Sequence, residues 1–596
     1  MKTKDAPGAL SIGRLREQYL NGETTPEAVI SDIIQRANED VEMNLWITPP
    51  TMEWIRPYLD QLNAMDRTKA PLWGIPFAIK DNIDLAGLPT TAGCPDYSFI
   101  PEEHAAVVAR LIEAGAIPVG KTNLDQFATG LVGTRSPYGE THNALRPELI
   151  SGGSSSGSAV AVARGHAAFA LGTDTAGSGR VPAALNRLVG YKPSLGAWPT
   201  KGVVPACASL DCVTVFARNL EDALVVDSVA RGLEASDPWS RMVAGPAVKL
   251  PGKIILPKHA LTFFGPFADE YRHAWNASVA QWESLGIPIE YAEIELFSKA
   301  AAILYEGPWV AERWAALGGF LDAHPGAANQ VTELVLRSAT SAEYDATAVF
   351  QAMHDLQVYK LEARKLLQDA VLVLPTSGGT WSREQVEQDP VATNRDMGRY
   401  TNHCNLLDLC AAAVPGEDAG EQLPFGITLF ALAENEGLVC GAAERFMNRG
   451  TPIGHAEPNG LNQVSAAPDR EPTTLVAVCG LHMRGFPLEK QMVECRAAFI
   501  REESTAPRYQ FVKLPTVPAK PGLIKLPEGG SSIRLEVWEM PLASFGRFAA
   551  SIPAPLGIGK VELADGSEVP GFVCEAYAAE GAEDITASGG WRQAEA

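Results

Sequence analysis

Residues 151–180 read SGGSSSGSAVAVARGHAAFALGTDTAGSGR. A flexible Gly/Ser linker shares this small-residue composition, but segments 159–164 and 167–171 are apolar and belong to a folded layer. Small residues here let backbone and reacting groups approach closely. The run holds Ser154, in SGGSSSGS, and Ser178, in GTDTAGSGRVPA, 24 residues apart. Lys80, closing the apolar stretch of GIPFAIKDNI, lies 74 residues before Ser154.

A serine hydroxyl is a weak nucleophile until a base takes its proton. Neither serine motif contains a histidine, and His166, among small residues, reads as structural. A lysine at the end of an apolar strand can serve as the base, because desolvation disfavours its charged form. A second hydroxyl can relay the proton. The glycine-rich turn before Ser178 frees backbone N–H groups to face a developing oxyanion. Asp174 and Arg180 read as braces of that turn rather than as reacting groups.

These motifs and spacings resemble the amidase signature family, over roughly residues 10–450. The resemblance implies a mixed sheet covered by helices and a Ser–cisSer–Lys triad. Ser178 matches the nucleophile, Ser154 the serine after a cis peptide bond, and Lys80 the base. The backbone amides of Thr175, Ala176, Gly177 and Ser178 match the oxyanion hole. Ser155 and Ser156 are close neighbours of Ser154, which the 24-residue spacing favours. No cofactor or metal is implied.

Substrate choice is read outside these motifs. The segment 304–317, LYEGPWVAERWAAL, reads as one helix that places Tyr305 and Arg313, eight residues apart, on one side. YEGPWVAER is similar to the segment with which allophanate hydrolases, a branch of the family, hold their substrate. The resemblance gives Tyr305 the urea-like portion and Arg313 the carboxylate, which a guanidinium pairs bidentately. Gly130, in TGLVGTRSPYG, matches a pocket-lining glycine.

The chain has 596 residues, more than one hydrophobic core of ~250–300 residues can organise. Residues 448–474 are rich in Pro, Gly, Asn and Ala and read as a boundary. We divide the chain into an amidase domain (1–450), a linker (451–473) and an α+β domain (474–596). In the last, 475–479, 510–514, 533–540 and 557–563 read as strands and 488–500 as a helix. Residues 478–488 and 537–575 resemble the extra domain of allophanate hydrolases, similar in fold to the γ-glutamylcyclotransferase-like barrel. That domain is associated with decarboxylating N-carboxycarbamate, and His482 matches its histidine. GLHMRG stands here where GAHLSG is the expected pattern.

Upstream, 11–21 and the stretch after Thr25-Pro26 read as helices, 75–79 and 116–119 as strands, 104–113 as a helix, and 220–450 as mainly helical. A net charge of -22 argues against nucleic acid or an anionic membrane as partner, yet one Arg suffices for a small anion. Nine cysteines without CxxC spacing read as reduced thiols. With no apolar signal core and no long apolar span, a cytoplasmic setting is expected. By resemblance the partners are allophanate, a second copy in a homodimer, and a functional link to urea carboxylase or biuret hydrolase, in urea or s-triazine breakdown. The rival readings are a biuret, malonamide or aryl-acetamide amidase and an amidotransferase subunit.

Overall fold

The structure, a computed structural model, describes residues 10–448 and 473–595; the linker expected over 451–473 lies, except for Thr473, outside the described residues. The chain forms two compact units, Met1–Asn459 and Gly460–Ala596.

The first unit is built on an eleven-stranded sheet. Its strands are β1 (Trp46–Thr48), β2 (Pro76–Lys80), β3 (Ile117–Thr122), β4 (Phe169–Asp174), β5 (Val189–Lys192), β6 (Cys212–Ala217), β7 (Lys253–Pro257), β8 (Ile289–Ala292), β9 (Ala370–Pro375), β10 (Leu409–Pro415) and β11 (Gly426–Leu432). They lie in the order β1-β3-β2-β4-β6-β5-β10-β11-β9-β7-β8. β2 pairs in parallel with β3 and β4, and β7 with β8 and β9, while β10 and β11 run antiparallel. The sheet is therefore mixed. β2, β4 and β9 are buried along their whole length, as strands are when both faces are covered, and they read as continuous apolar runs rather than alternating ones.

Local signals placed the first helices. Ser11 caps Ile12–Asn21 by accepting from Arg14 N–H, and Thr25 caps Pro26–Glu39 from Ala28 N–H with Pro26 in the first turn. The region 220–450 is mainly helical, as expected, and in addition contributes five strands, β7 to β11, that the sequence reading did not separate from helix. Short buried apolar runs carry no periodicity that separates strand from helix.

The 151–180 run folds as a helix, Ser156–Ala163, leading into β4. All of that helix but Ala163 is buried, so its lack of a polar face is what burial requires. Its small residues are needed: a Cβ on Gly157 would come within 2.7 Å of Asn123 N, and one on Gly172 within 2.8 Å of Ser155 Oγ.

The second unit holds a five-stranded sheet and a three-stranded one. Its strands are β12 (Thr473–Val478), β13 (Ala498–Ser504), β14 (Tyr509–Leu514), β15 (Lys520–Lys525), β16 (Arg534–Pro541), β17 (Leu556–Glu562), β18 (Glu568–Cys574) and β19 (Glu583–Asp584), ordered β13-β16-β12-β18-β17 and β15-β14-β19. Val476, Val537, Trp538 and Phe572 pack in its core. The helix expected over 488–500 covers only Glu489–Glu494; residues from Ala498 onward form the edge strand β13 on β16. Cross-strand pairing outweighed the local helical pattern there.

Candidate active site

The parallel register of β2 and β4, with Ile79 opposite Leu171, carries Lys80 and the turn after Asp174 to the same edge of the sheet. Carboxyl ends of parallel strands are where open α/β sheets gather ligands. The peptide bond between Gly153 and Ser154 is cis, and Ser154 sits between the two strand ends. Lys80 Nζ donates to Ser154 Oγ and to Thr173 Oγ1, each at 2.7 Å, and Ser154 Oγ donates to Ser178 Oγ at 3.0 Å. Lys80 and Ser154 are fully buried; Ser178 retains 4% exposure. The chain of atoms thus runs from a buried amine to a hydroxyl that a small molecule can reach.

The neighbouring serines are engaged elsewhere. Ser155 Oγ donates to Thr173 O, and Ser156 Oγ faces Thr141 Oγ1 and Asn123 O. Ser154 alone of the three bridges Lys80 and Ser178.

Burial pushes the Lys80 amine down to about 7, against the opposing pull of Asp125, Asp211 and Asp174 and with a further push from Arg313. Near neutral pH a large share of Lys80 is therefore neutral and able to take a proton. Asp174, at the end of β4, accepts from Gly177 N–H (2.8 Å), Gly179 N–H (3.0 Å) and Arg180 Nε (2.8 Å). Burial alone would raise its carboxyl, but Arg180 outweighs that and holds it below its ordinary value. Asp174 and Arg180 brace the turn.

The four expected oxyanion donors are not equally available. Gly177 N–H is committed to Asp174, whereas no group among the described residues accepts from the N–H of Thr175, Ala176 or Ser178. The turn offers three free donors rather than four. Gly177 has φ +137, and a Cβ there would run into Thr401 Oγ1, so only glycine fits.

Tyr305 and Arg313 meet, though not on one helix. The segment breaks after Glu295–Tyr305 and resumes as Val310–Ala323. Pro308 has no N–H to continue a helix and disfavours helical backbone at Gly307. The break brings Arg313 Nη2 to Tyr305 Oη at 2.9 Å and the guanidinium over the Tyr305 ring at 5.1 Å. Arg313 Nη1 donates to Thr129 Oγ1 at 3.0 Å, next to Gly130. Arg313 is fully buried, its Nε has no hydrogen-bond partner, and no carboxylate among the described residues pairs with it. The adjacent Glu312 is taken by Ser209 and Trp309.

Four neighbours escaped the sequence reading: Thr173, Asn82, Thr129 and Asp125. Asn82 Nδ2 donates to Thr173 Oγ1 at 3.4 Å. Asp125 N–H donates to Ser154 O, while its carboxylate accepts from Gly133 N–H and Arg135 N–H, folding the loop that carries Gly130. Thr173 lies inside the GTDTAGSG motif itself, whereas Asp125 acts through backbone partners that spacing does not reveal. His166 pairs with Asp40 at 2.8 Å and stays structural.

In the second unit His482 Nε2 lies 2.9 Å from Gln491 Oε1, and its ring stacks on Phe572. Burial lowers its proton affinity. The departures from the expected GAHLSG pattern are accommodated locally. Arg484 joins Glu536 and Glu502 and covers Phe499, and Met483 is buried.

Among the described residues no helix is long and apolar enough to cross a membrane, and no group of His, Cys, Asp and Glu forms a metal site.

Residues 28–440 match the family model described as Amidase, and residues 474–596 the one described as Allophanate hydrolase C-terminal domain. The Saccharomyces cerevisiae protein named urea amidolyase is 40% identical over 575 residues, covering 92% of this chain and 31% of its own. The chain thus spans about a third of the length of the curated urea amidolyases it matches. The solved structure of Kluyveromyces lactis allophanate hydrolase is 37% identical, with a TM-score of 0.71 over 99% of both chains. That of K. lactis urea amidolyase is 37% identical, with a TM-score of 0.70 over 99% of this chain and 37% of the other. With its sheet, its cis-serine turn and both family matches in place, the chain belongs to the amidase family, in the branch that carries the allophanate hydrolase C-terminal domain.

Proposed function

We propose that the chain hydrolyses allophanate, with Ser178 as nucleophile, Ser154 as relay and Lys80 as base. The observation that carries the substrate choice is Arg313. A buried guanidinium without a carboxylate partner is costly, and a small planar anion is what Arg313, Tyr305 and Gly130 would hold. A neutral amide would leave that charge unpaired. The K. lactis structure bearing the name allophanate hydrolase supports the same substrate.

With Lys80 neutral, Ser178 gives its proton to Ser154 and Ser154 gives one to Lys80. Ser178 Oγ attacks the amide carbonyl, and the oxyanion rests on the N–H groups of Thr175, Ala176 and Ser178. The carbon–nitrogen bond breaks, the nitrogen takes the proton back and leaves as ammonia. Water then cleaves the acyl-enzyme by the same relay, giving N-carboxycarbamate. Because Lys80 must be neutral, kcat/KM should rise with pH through about 7 and level off above it, following the lowered amine. A pH–rate profile of the free enzyme checks this; a flat profile between about pH 5.5 and 8.5 would remove Lys80 from the role of base.

The second unit, residues 474–596, is proposed as the domain that decarboxylates N-carboxycarbamate, with His482 in its site and a γ-glutamylcyclotransferase-like barrel as its fold. In that step a carbon–nitrogen bond breaks, carbon dioxide leaves, and the nitrogen keeps the electron pair and gains a solvent proton, giving carbamate. His482→Asn should lower the early ratio of carbon dioxide to ammonia, followed in one coupled assay. A ratio equal to wild type would leave the domain a supporting role only.

The boundary at 451–473, the homodimer and a functional link to urea carboxylase complete the proposal. The relatives named urea amidolyase favour urea over an s-triazine as the source of allophanate.

A further inference from the structure

The second unit contains a cavity of about 310 Å³, open on one side to solvent. Its polar lining consists chiefly of His482, Gln491 and Lys520; Leu481, Ile552 and Phe572 are among its apolar walls. No Asp or Glu lines it, although acidic residues outnumber basic ones 71 to 49 in the chain. The side chain of Lys520, half-buried at the start of β15, makes no ion pair or hydrogen bond among the described residues. The neighbouring lysines of the unit do: Lys513 pairs with Glu595, and Lys525 with Glu562.

His482 is held on three sides. Gln491 Oε1 fixes Nε2, Phe572 stacks on the ring at 4.9 Å, and Phe548 meets it edge-on at 5.3 Å. A ring held in one orientation beside an unpaired cation, in a largely apolar cavity, has the makings of a ligand site. Apolar walls on one side of a half-buried ammonium strengthen its contact with a carboxylate relative to a fully exposed pair. Apolar walls give any second carboxylate of the same ligand no comparable partner.

We infer that this cavity binds a short dicarboxylate, with Lys520 anchoring one carboxylate and the His482–Gln491 pair facing the middle of the ligand. The inference deepens the decarboxylation reading and rests on it for the identity of the natural ligand. N-carboxycarbamate is a short dicarboxylate, and with one carboxylate on Lys520 the other lies against walls that favour neutral carbon dioxide over an anion.

The probe is malonate, which replaces the central NH of N-carboxycarbamate by CH2, titrated calorimetrically into the full-length protein. Two binding events are expected, because Arg313 offers a carboxylate site of its own. Arg313→Met should remove one event. Lys520→Met should weaken the other at least about tenfold, and Lys520→Arg should retain it. Thermal unfolding of each variant separates lost binding from lost structure. If Arg313→Met removes all malonate binding, or Lys520→Met titrates like wild type, the inference is overturned. Loss of the second event in Lys520→Met with an unchanged carbon dioxide-to-ammonia ratio would sustain the site and overturn the decarboxylation reading instead.

Discussion

Ser178→Ala lowers ammonia release from allophanate by about 10³-fold or more, with thermal unfolding close to wild type. Ser178 is the last member of the chain running from Lys80 through Ser154, and the only one of the three with any solvent exposure. In the proposed mechanism its hydroxyl forms the covalent intermediate, so without it the remaining donors of the turn would retain only binding and oxyanion stabilisation. Removing one member of such a unit forfeits nearly the whole effect of the unit. The fold should tolerate the change, because Ser178 Oγ receives its hydrogen bond from Ser154 and the turn itself is fixed by Asp174 through Gly177, Gly179 and Arg180. Steady-state ammonia release and a melting curve on the same preparation check both halves. Turnover above about a tenth of wild type would assign the nucleophile elsewhere.

Arg313→Ala costs about 2–5 kcal/mol in kcat/KM for allophanate, roughly 30- to 5,000-fold, the range for truncating one partner of a buried charge pair. The guanidinium is held from both sides, by Tyr305 Oη and Thr129 Oγ1, with no carboxylate of its own. It is therefore preorganised, and little side-chain entropy would be lost on binding a carboxylate. Biuret, in which an amide replaces that carboxylate, should be a poor substrate for wild type and lose little more in the variant. Equal losses for the two substrates would reduce Arg313 to a packing residue.

The site was legible in the sequence where chemistry and chain order coincide. Lys80, Ser154 and Ser178 stand in motifs whose spacing survives folding, and the structure joins them through two hydrogen bonds. Partners brought in from a distance were not legible. Thr129 reaches Arg313 across 184 residues, and Asp125 meets Ser154 through a backbone amide that any residue possesses. The helix read across 304–317 failed at Gly307-Pro308, where the signal was present but was outweighed by the apolar pattern on either side. The meeting of Tyr305 and Arg313 came from the break rather than from helical phase.

The fold shows the same division. Capped amphipathic helices near the start of the chain were readable from Ser11 and Thr25. β7 and β9 were not, since KIILP and AVLVLP are apolar runs flanked by helices and lack any alternation. β13 was mistaken for helix because it follows a true helical turn and gains its stability from β16, which is distant in sequence.

The most direct test of the central claim compares ammonia release from allophanate and from biuret by the purified full-length protein. The two molecules share one planar skeleton and differ in a carboxylate against an amide, so the comparison isolates the charge that Arg313 is proposed to meet. We expect kcat/KM to be higher for allophanate by at least about 30-fold, the lower end of a buried charge pair, with activity in both cases lost in Ser178→Ala. Equal or faster turnover of biuret would contradict it.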